Sequence, residues 1–138
     1  MTRSSAPPRF FVDENDLALG AALAVARPDV VHPGHAKLPE VPRRTPDETW
    51  LPIVGGHGLV VITRDQKIRR RPVERRAWFD HQVRGFALTG KTSQSTWDSL
   101  RIIARRWDEI EEMVAQRPDG PWMVSLTGGM REIELSGD

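Results

Sequence analysis

The stretch Phe10-Phe11-Val12-Asp13-Glu14-Asn15-Asp16 decides how this chain is read. Three apolar residues run directly into three carboxylates and an amide, and the alanine- and leucine-rich segment Leu17 to Ala26 follows at once. This is the pattern of a buried strand, Arg9 to Val12, that discharges into a loop before a helix. In open α/β sheets such strand ends border the ligand crevice. Leu59-Val60-Val61-Ile62-Thr63-Arg64-Asp65 has the same build, an apolar strand ending on an acid. If the two strands are parallel neighbours, Asp13 and Asp65 emerge at the same edge of the sheet.

Working outward, the segment 17–26 has apolar residues on most faces and predicts a well-buried helix, closed by Arg27-Pro28. Asp29-Val30-Val31-His32 reads as a short second strand, and Ala36 to Arg44 as an irregular loop. Thr45-Pro46-Asp47-Glu48 is a helix start in which threonine suits the cap, proline the first helical position and Glu48 a capping box. That leaves Asp47 the freer acid. The helix passes through Trp50, Leu51 and Val54 to Gly55-Gly56. Pro72 begins a third helix, reaching about Gln82, and Phe86 to Thr89 is a fourth strand. Trp97, Leu100, Ile103, Ala104, Trp107, Ile110 and Val114 step by three and four residues, predicting one long amphipathic helix over about 94–117. Trp122 to Thr127 is a fifth strand. The order is β-α-β-α-β-α-β-α-β, and strands that are apolar throughout imply a five-stranded parallel sheet with helices on both faces. Residues 1–8 read as a disordered tail, 9–127 as one domain, and 128–138 as a C-terminal tail or edge strand.

Composition sets the bounds. A chain of 138 residues with 38% hydrophobic and 28% charged residues suits one globular domain. No apolar run approaches the roughly 20 residues of a membrane helix. The first eight residues lack the apolar core of a signal peptide, so a cytoplasmic location is the default. With no cysteine, any metal must be held by oxygen or imidazole. Net charge is only +1, yet seven of the 20 basic residues fall between Arg64 and Arg76. That run is either a solvated helix start or a phosphate-binding surface.

No Walker-type glycine loop, G-x-G-x-x-G or G-x-S-x-G elbow is present. His32 and His35 lack a third partner at metal spacing and read as ordinary loop histidines. The remaining chemistry is carboxylate: Asp13 and Glu14 after strand one, Asp47 at a helix start, and Asp65 after strand three. Taken singly, Asp16 can cap its helix, Asp47 can favour the positive helix end and Asp65 can close a turn. Together at one edge they would repel unless cations filled the site, and an oxygen-only cluster favours Mg2+ or Mn2+.

The opening F-F-V-D-E-N, the T-P-D-E-x-W helix start, the L-V-V-I-T-R-D strand and the R-P-x-E that follows resemble the PIN-like nucleases. The branch they resemble most includes the VapC45-type toxins of bacterial toxin–antitoxin pairs, and the resemblance spans residues 9 to about 127. It implies a three-layer α/β/α fold, a Mg2+- or Mn2+-dependent endoribonuclease, and an antitoxin that masks the site. Carried over residue by residue, Asp13, Asp47 and Asp65 are the catalytic and metal-binding acids, with Glu14 in support. A typical member has a further acid after strand four, where this chain reads Thr89-Gly90-Lys91-Thr92-Ser93. Arg64, Lys67, Arg69, Arg70 and Arg71 would guide the RNA backbone. Trp50 and Trp78 are either core residues or platforms for unstacked bases, and Glu74 is a metal ligand or, preferably, an arginine's partner. Toxins of this kind often form homodimers. Two rivals remain: a receiver-like phosphoacceptor domain, which lacks its lysine at Ser125-Leu126-Thr127-Gly128, and a PIN-like module that binds RNA or a partner without cutting.

Overall fold

The short apolar runs pair into a single sheet. The computed structural model describes residues 6–13, 17–64, 71–90 and 95–135. The strands are β1 (Phe10–Val12), β2 (Val30–Val31), β3 (Val60–Thr63), β4 (Arg84–Ala87), β5 (Trp122–Ser125) and β6 (Arg131–Glu132), in the order β2-β1-β3-β4-β5-β6. The first five are parallel to one another. β6 lies antiparallel on β5, so the sheet has six strands where the sequence pattern indicates five. The additional strand follows from Gly128 and Gly129, whose φ of 72° and 107° let the chain reverse past the end of β5.

The helices are α1 (Leu17–Ala26), α2 (Asp47–Gly56), α3 (Pro72–Asp80), α4 (Thr96–Arg105) and α5 (Trp107–Gln116). Strand alternation sends Phe11, Val31, Val61, Ala87 and Met123 to one face, where they pack with Trp50, Leu51 and Val54 of α2 and Trp78 of α3. Phe10, Val12, Ile62, Phe86 and Val124 pack on the other face with Leu19 and Leu23 of α1, Ile103 of α4 and Ile110 of α5. The three-layer arrangement therefore has a core on each side of the sheet. Among the described residues, no helix is long and apolar enough to cross a membrane.

Three local expectations are corrected. The long helix over 94–117 is two helices, broken at Arg106 (φ −99°, ψ 6°), whose N–H reaches the carbonyls of Ile102 and Ile103. The apolar seam has to serve two places, and a straight helix cannot follow both. α4 packs on α1, and its last turn meets Leu126 to Gly128 beyond β5. α5 sets Trp107 against Phe10, with ring centroids 4.8 Å apart. The helix α1 is not well buried. Only Leu19, Gly20 and Leu23 are covered and Val25 is 90% exposed, because a helix in an outer layer needs one buried stripe and alanine favours helix without burial. Gly20 sits in that stripe, where a Cβ would stand 3.0 Å from the His32 Cβ. Thr45 does not cap α2. Its hydroxyl donates to the Pro42 carbonyl at 2.6 Å, and Pro46 occupies the cap with its carbonyl accepting from Thr49 and Trp50 N–H.

The end of the sheet where β1 begins is closed by charge. Arg9 donates to Asp29 at 3.0 Å and to Glu111 at 2.6 Å, and Arg27 donates to Asp29 at 3.0 Å. Burial alone would raise the Asp29 carboxyl pKa, but hydrogen bonds from Arg27 and Arg9 outweigh it and hold the group below its ordinary range. Arg9 does the same for Glu111. A carboxyl whose folded pKa is depressed stabilises the fold above its unfolded pKa and loses that contribution as pH falls through the folded value.

Asp29→Asn is therefore expected to cost about 2 kcal/mol at pH 7. It should also flatten the loss of stability that the wild type shows as pH falls below about 4; urea titrations over pH read both effects. Gly85→Ala is expected to cost about 2 kcal/mol or more, because its Cβ would stand 2.7 Å from the Trp78 ring and 2.9 Å from the Val61 carbonyl oxygen. Gly56→Ala, with nothing within 4 Å of the new Cβ, should leave the unfolding midpoint unchanged or slightly raised.

Candidate active site

Parallel pairing sets Val12 beside Ile62, so the next residues, Asp13 and Thr63, leave the sheet level with one another. Both are buried, at 2% and 1% exposure. The Thr63 hydroxyl donates to Asp13 Oδ2 at 2.6 Å across fifty residues of chain, and the Asp13 N–H donates to the Ile62 carbonyl at 3.3 Å. A carboxylate in this position needs such donors, since burying a charge without compensation is costly.

Asp47 reaches the same edge from the helix layer. It is the first residue of α2, where the helix dipole favours negative charge. Its Oδ1 accepts from the Trp50 indole at 2.9 Å. Trp50 in turn packs on Phe11, with centroids 4.8 Å apart, and Phe11 shares its sheet face with Asp13, two residues on. The anchor that buries α2 thus also carries Asp47 toward Asp13. Arg71, at the cap of α3, lies 3.6 Å from Asp47 and 3.8 Å from Glu74. Glu74 is accordingly an arginine's partner.

On the far side of β3 the edge carries hydroxyls. Thr89 Oγ1 lies 2.9 Å from Ser125 Oγ, the Thr89 N–H donates to Thr127 Oγ1 at 3.0 Å, and the Thr127 N–H donates to Ser125 Oγ at 3.2 Å. Where a typical relative places a further acid, the described part of this chain has this hydroxyl group.

Asp13 and Thr63 are therefore joined at the C-terminal edge of the sheet, and Asp47 and Arg71 lie beside one another at the starts of α2 and α3. Glu14, Asp65, Lys67, Arg69 and Arg70 lie outside the described residues. Arg64 is half-buried at the end of β3. Arg71 lies beside two acids, Asp47 and Glu74. Trp50 and Trp78 are core residues at 1% and 0% exposure, so neither offers a face to a base. His32 and His35 meet edge to ring at 5.2 Å, and burial, then His32 and Lys37, push the His35 pKa down. The residue the sequence reading passed over is Thr63; its signal was a hydroxyl one position before Arg64-Asp65, at the end of an apolar strand.

Among the described residues no three histidine, cysteine, aspartate or glutamate side chains group closely enough to hold a metal ion; two of the four expected ligands, Glu14 and Asp65, are not among them. The donor set is oxygen throughout with a buried carboxylate at its base, which suits a hard cation such as Mg2+ or Mn2+.

Comparison with known proteins is consistent with this layout. A family model described as a PIN like domain matches residues 8–90, from just before β1 to just past β4, and spans Asp13, Asp47 and Asp65. No curated protein and no solved structure matches the chain. With more than half of its length matched, the chain belongs to the PIN-like domain family, whose members are commonly nucleases.

Proposed function

We propose that this protein is a divalent-metal-dependent endoribonuclease that hydrolyses RNA phosphodiester bonds, acting in the cytoplasm as the toxin of a type II toxin–antitoxin pair. The observation that carries the reading is the buried Asp13 carboxylate, oriented by Thr63, at the edge that Asp47 approaches from α2. Two further acids adjoin these residues in the sequence: Glu14 follows Asp13 directly, and Asp65 is two residues beyond Thr63.

In this reading Asp13, Asp47, Asp65 and Glu14 hold Mg2+ or Mn2+. A cation there would lower the pKa of a bound water and stabilise charge at phosphorus. The chain's own part is positional. Thr63 keeps the Asp13 carboxylate turned to the edge, Trp50 does the same for Asp47, and Arg71 balances Asp47 and Glu74 across the starts of α2 and α3. Hydrolysis adds water at phosphorus, breaks the bond to the departing ribose oxygen, and returns a proton to that oxygen. Arg64, Lys67, Arg69 and Arg70 sit in sequence beside this edge and serve as backbone contacts. A cognate antitoxin would cover the same edge, and a homodimer is the proposed assembly. The rival reading, a PIN-like module that binds without cutting, draws on the hydroxyl group at Thr89 and Ser125 in place of an acid.

Purified protein with Mn2+ is expected to degrade a mixed RNA pool, and Asp13→Asn to reduce the rate at least a hundredfold while melting near the wild-type temperature. Equal activity in the variant ends the metal-site proposal, and an inactive wild type favours the binding module. Thr63→Val is expected to destabilise the fold by about 1–2 kcal/mol, since it leaves the Asp13 carboxylate without this donor. Thr63→Ser should recover most of that loss in the same denaturation assay.

A further inference from the structure

The exposed face of α4 carries a pattern that the active edge does not use. Trp97, Arg101 and Arg105 recur every four residues, so they form one stripe with steps of about 6 Å. Trp97 is 68% exposed, whereas Trp50, Trp78 and Trp122 are buried and Trp107 is half-buried against Phe10. Arg101 and Arg105 line one hollow of about 240 Å³ with Asp98 and Ile102, and Arg105 and Arg106 line a second, of about 130 Å³, with Leu126, Thr127 and Gly128. On the other side of the same turn, the Arg131 guanidinium comes within 3.8 Å of where a Cβ on Gly128 would stand. Arg131 is paired in register with Ser125, the residue whose hydroxyl meets Thr89 at the active edge.

We propose that the Trp97–Arg101–Arg105 stripe, continued by Arg131 past the Gly128-Gly129 turn, is a binding track for single-stranded RNA that leads to the active edge. The proposal rests on the nuclease reading for its direction, but on different residues. An accessible aromatic face followed by guanidinium groups is the combination single strands require, with stacking for the base and cations for the phosphates. Among the described residues Arg105 and Arg131 make no ion pair, and Arg106 is taken up by Glu109 at 3.1 Å. Asp98, 3.9 Å from Arg101, and Glu132 and Glu134, which share a hollow with Arg131, offset part of this charge, and Glu132 is itself bonded to Arg117. A duplex presents no open base face to Trp97, so the stripe selects for single strands.

The test is binding of a short fluorescein-labelled single-stranded RNA in EDTA, which stops metal-dependent cleavage, across a salt series. Trp97→Ala is expected to weaken binding roughly tenfold. Trp97→Phe should retain binding while removing most of the RNA-induced quenching of tryptophan fluorescence. Arg105→Gln and Arg131→Gln should each weaken binding about threefold and lower the slope of log affinity against log salt by about 0.7. Lys37→Gln, whose amine is held by the Ala6 and Pro28 carbonyls, should change neither. Unaltered affinity and slope in Trp97→Ala and in the Arg105→Gln/Arg131→Gln double variant would overturn the track, as would a wild type that binds no single-stranded RNA or prefers duplex. If the wild type binds as described yet cuts nothing with Mn2+, the nuclease reading falls and the track stands. If it cuts while the variants bind like the wild type, the track falls alone.

Discussion

The pairing of β1 with β3 is the constraint on which the rest depends. These strands have three and four residues, yet they are buried on both faces, and the alternation of Phe10, Phe11 and Val12 is matched one for one by Val60, Val61 and Ile62. A slip of one residue would exchange the faces, bringing Phe11 away from Trp50 and Phe10 away from Trp107. The same register sets Asp13 beside Thr63. Packing and site geometry are thus one choice: the slip that would empty both cores would also separate the carboxylate from its hydroxyl.

The two buried aspartates of the described chain, at opposite ends of the strands, show how differently a fold can handle one kind of group. Asp29 accepts from Arg9 and Arg27 and is linked through them to Glu111, so its charge is answered by fixed guanidinium groups. Arg27 also stacks on Trp107, its guanidinium carbon 4.5 Å from the ring centroid. Asp13 is held by the Thr63 hydroxyl across the pair of β1 and β3. The first arrangement closes the bottom of the sheet; the second keeps acid chemistry at the top.

Legibility in the sequence followed the same division. The strands were readable because runs such as Leu59 to Ile62 are apolar at every position, as a sheet covered on both faces requires. The bounds of α1 were also readable, because Arg27-Pro28 stops it. What one-dimensional periodicity could not carry was direction in space. The seam from Trp97 to Val114 is continuous in sequence, yet Trp97 and Ala104 stand exposed and the helix breaks at Arg106, so that the remaining residues face different elements. Residue type was a poor guide at Thr45, which suits a cap but bonds to Pro42. Asp13 and Asp47 were legible as candidates because one follows an apolar strand and the other begins a helix. Thr63 was not, since a threonine ending a strand is ordinary until its partner is known.

The C-terminal edge is chemically divided along the sheet, and the division coincides with a boundary in the chain. Around β1, α2 and α3 it carries Asp13 and Asp47, with Arg71 between Asp47 and Glu74, and this half lies within the matched residues 8–90. Around β5, α4 and β6 it carries hydroxyls and guanidinium groups, and apart from Thr89 this half lies beyond residue 90. The antiparallel turn at Gly128-Gly129, which adds β6 to an otherwise parallel sheet, is what places Arg131 on that side.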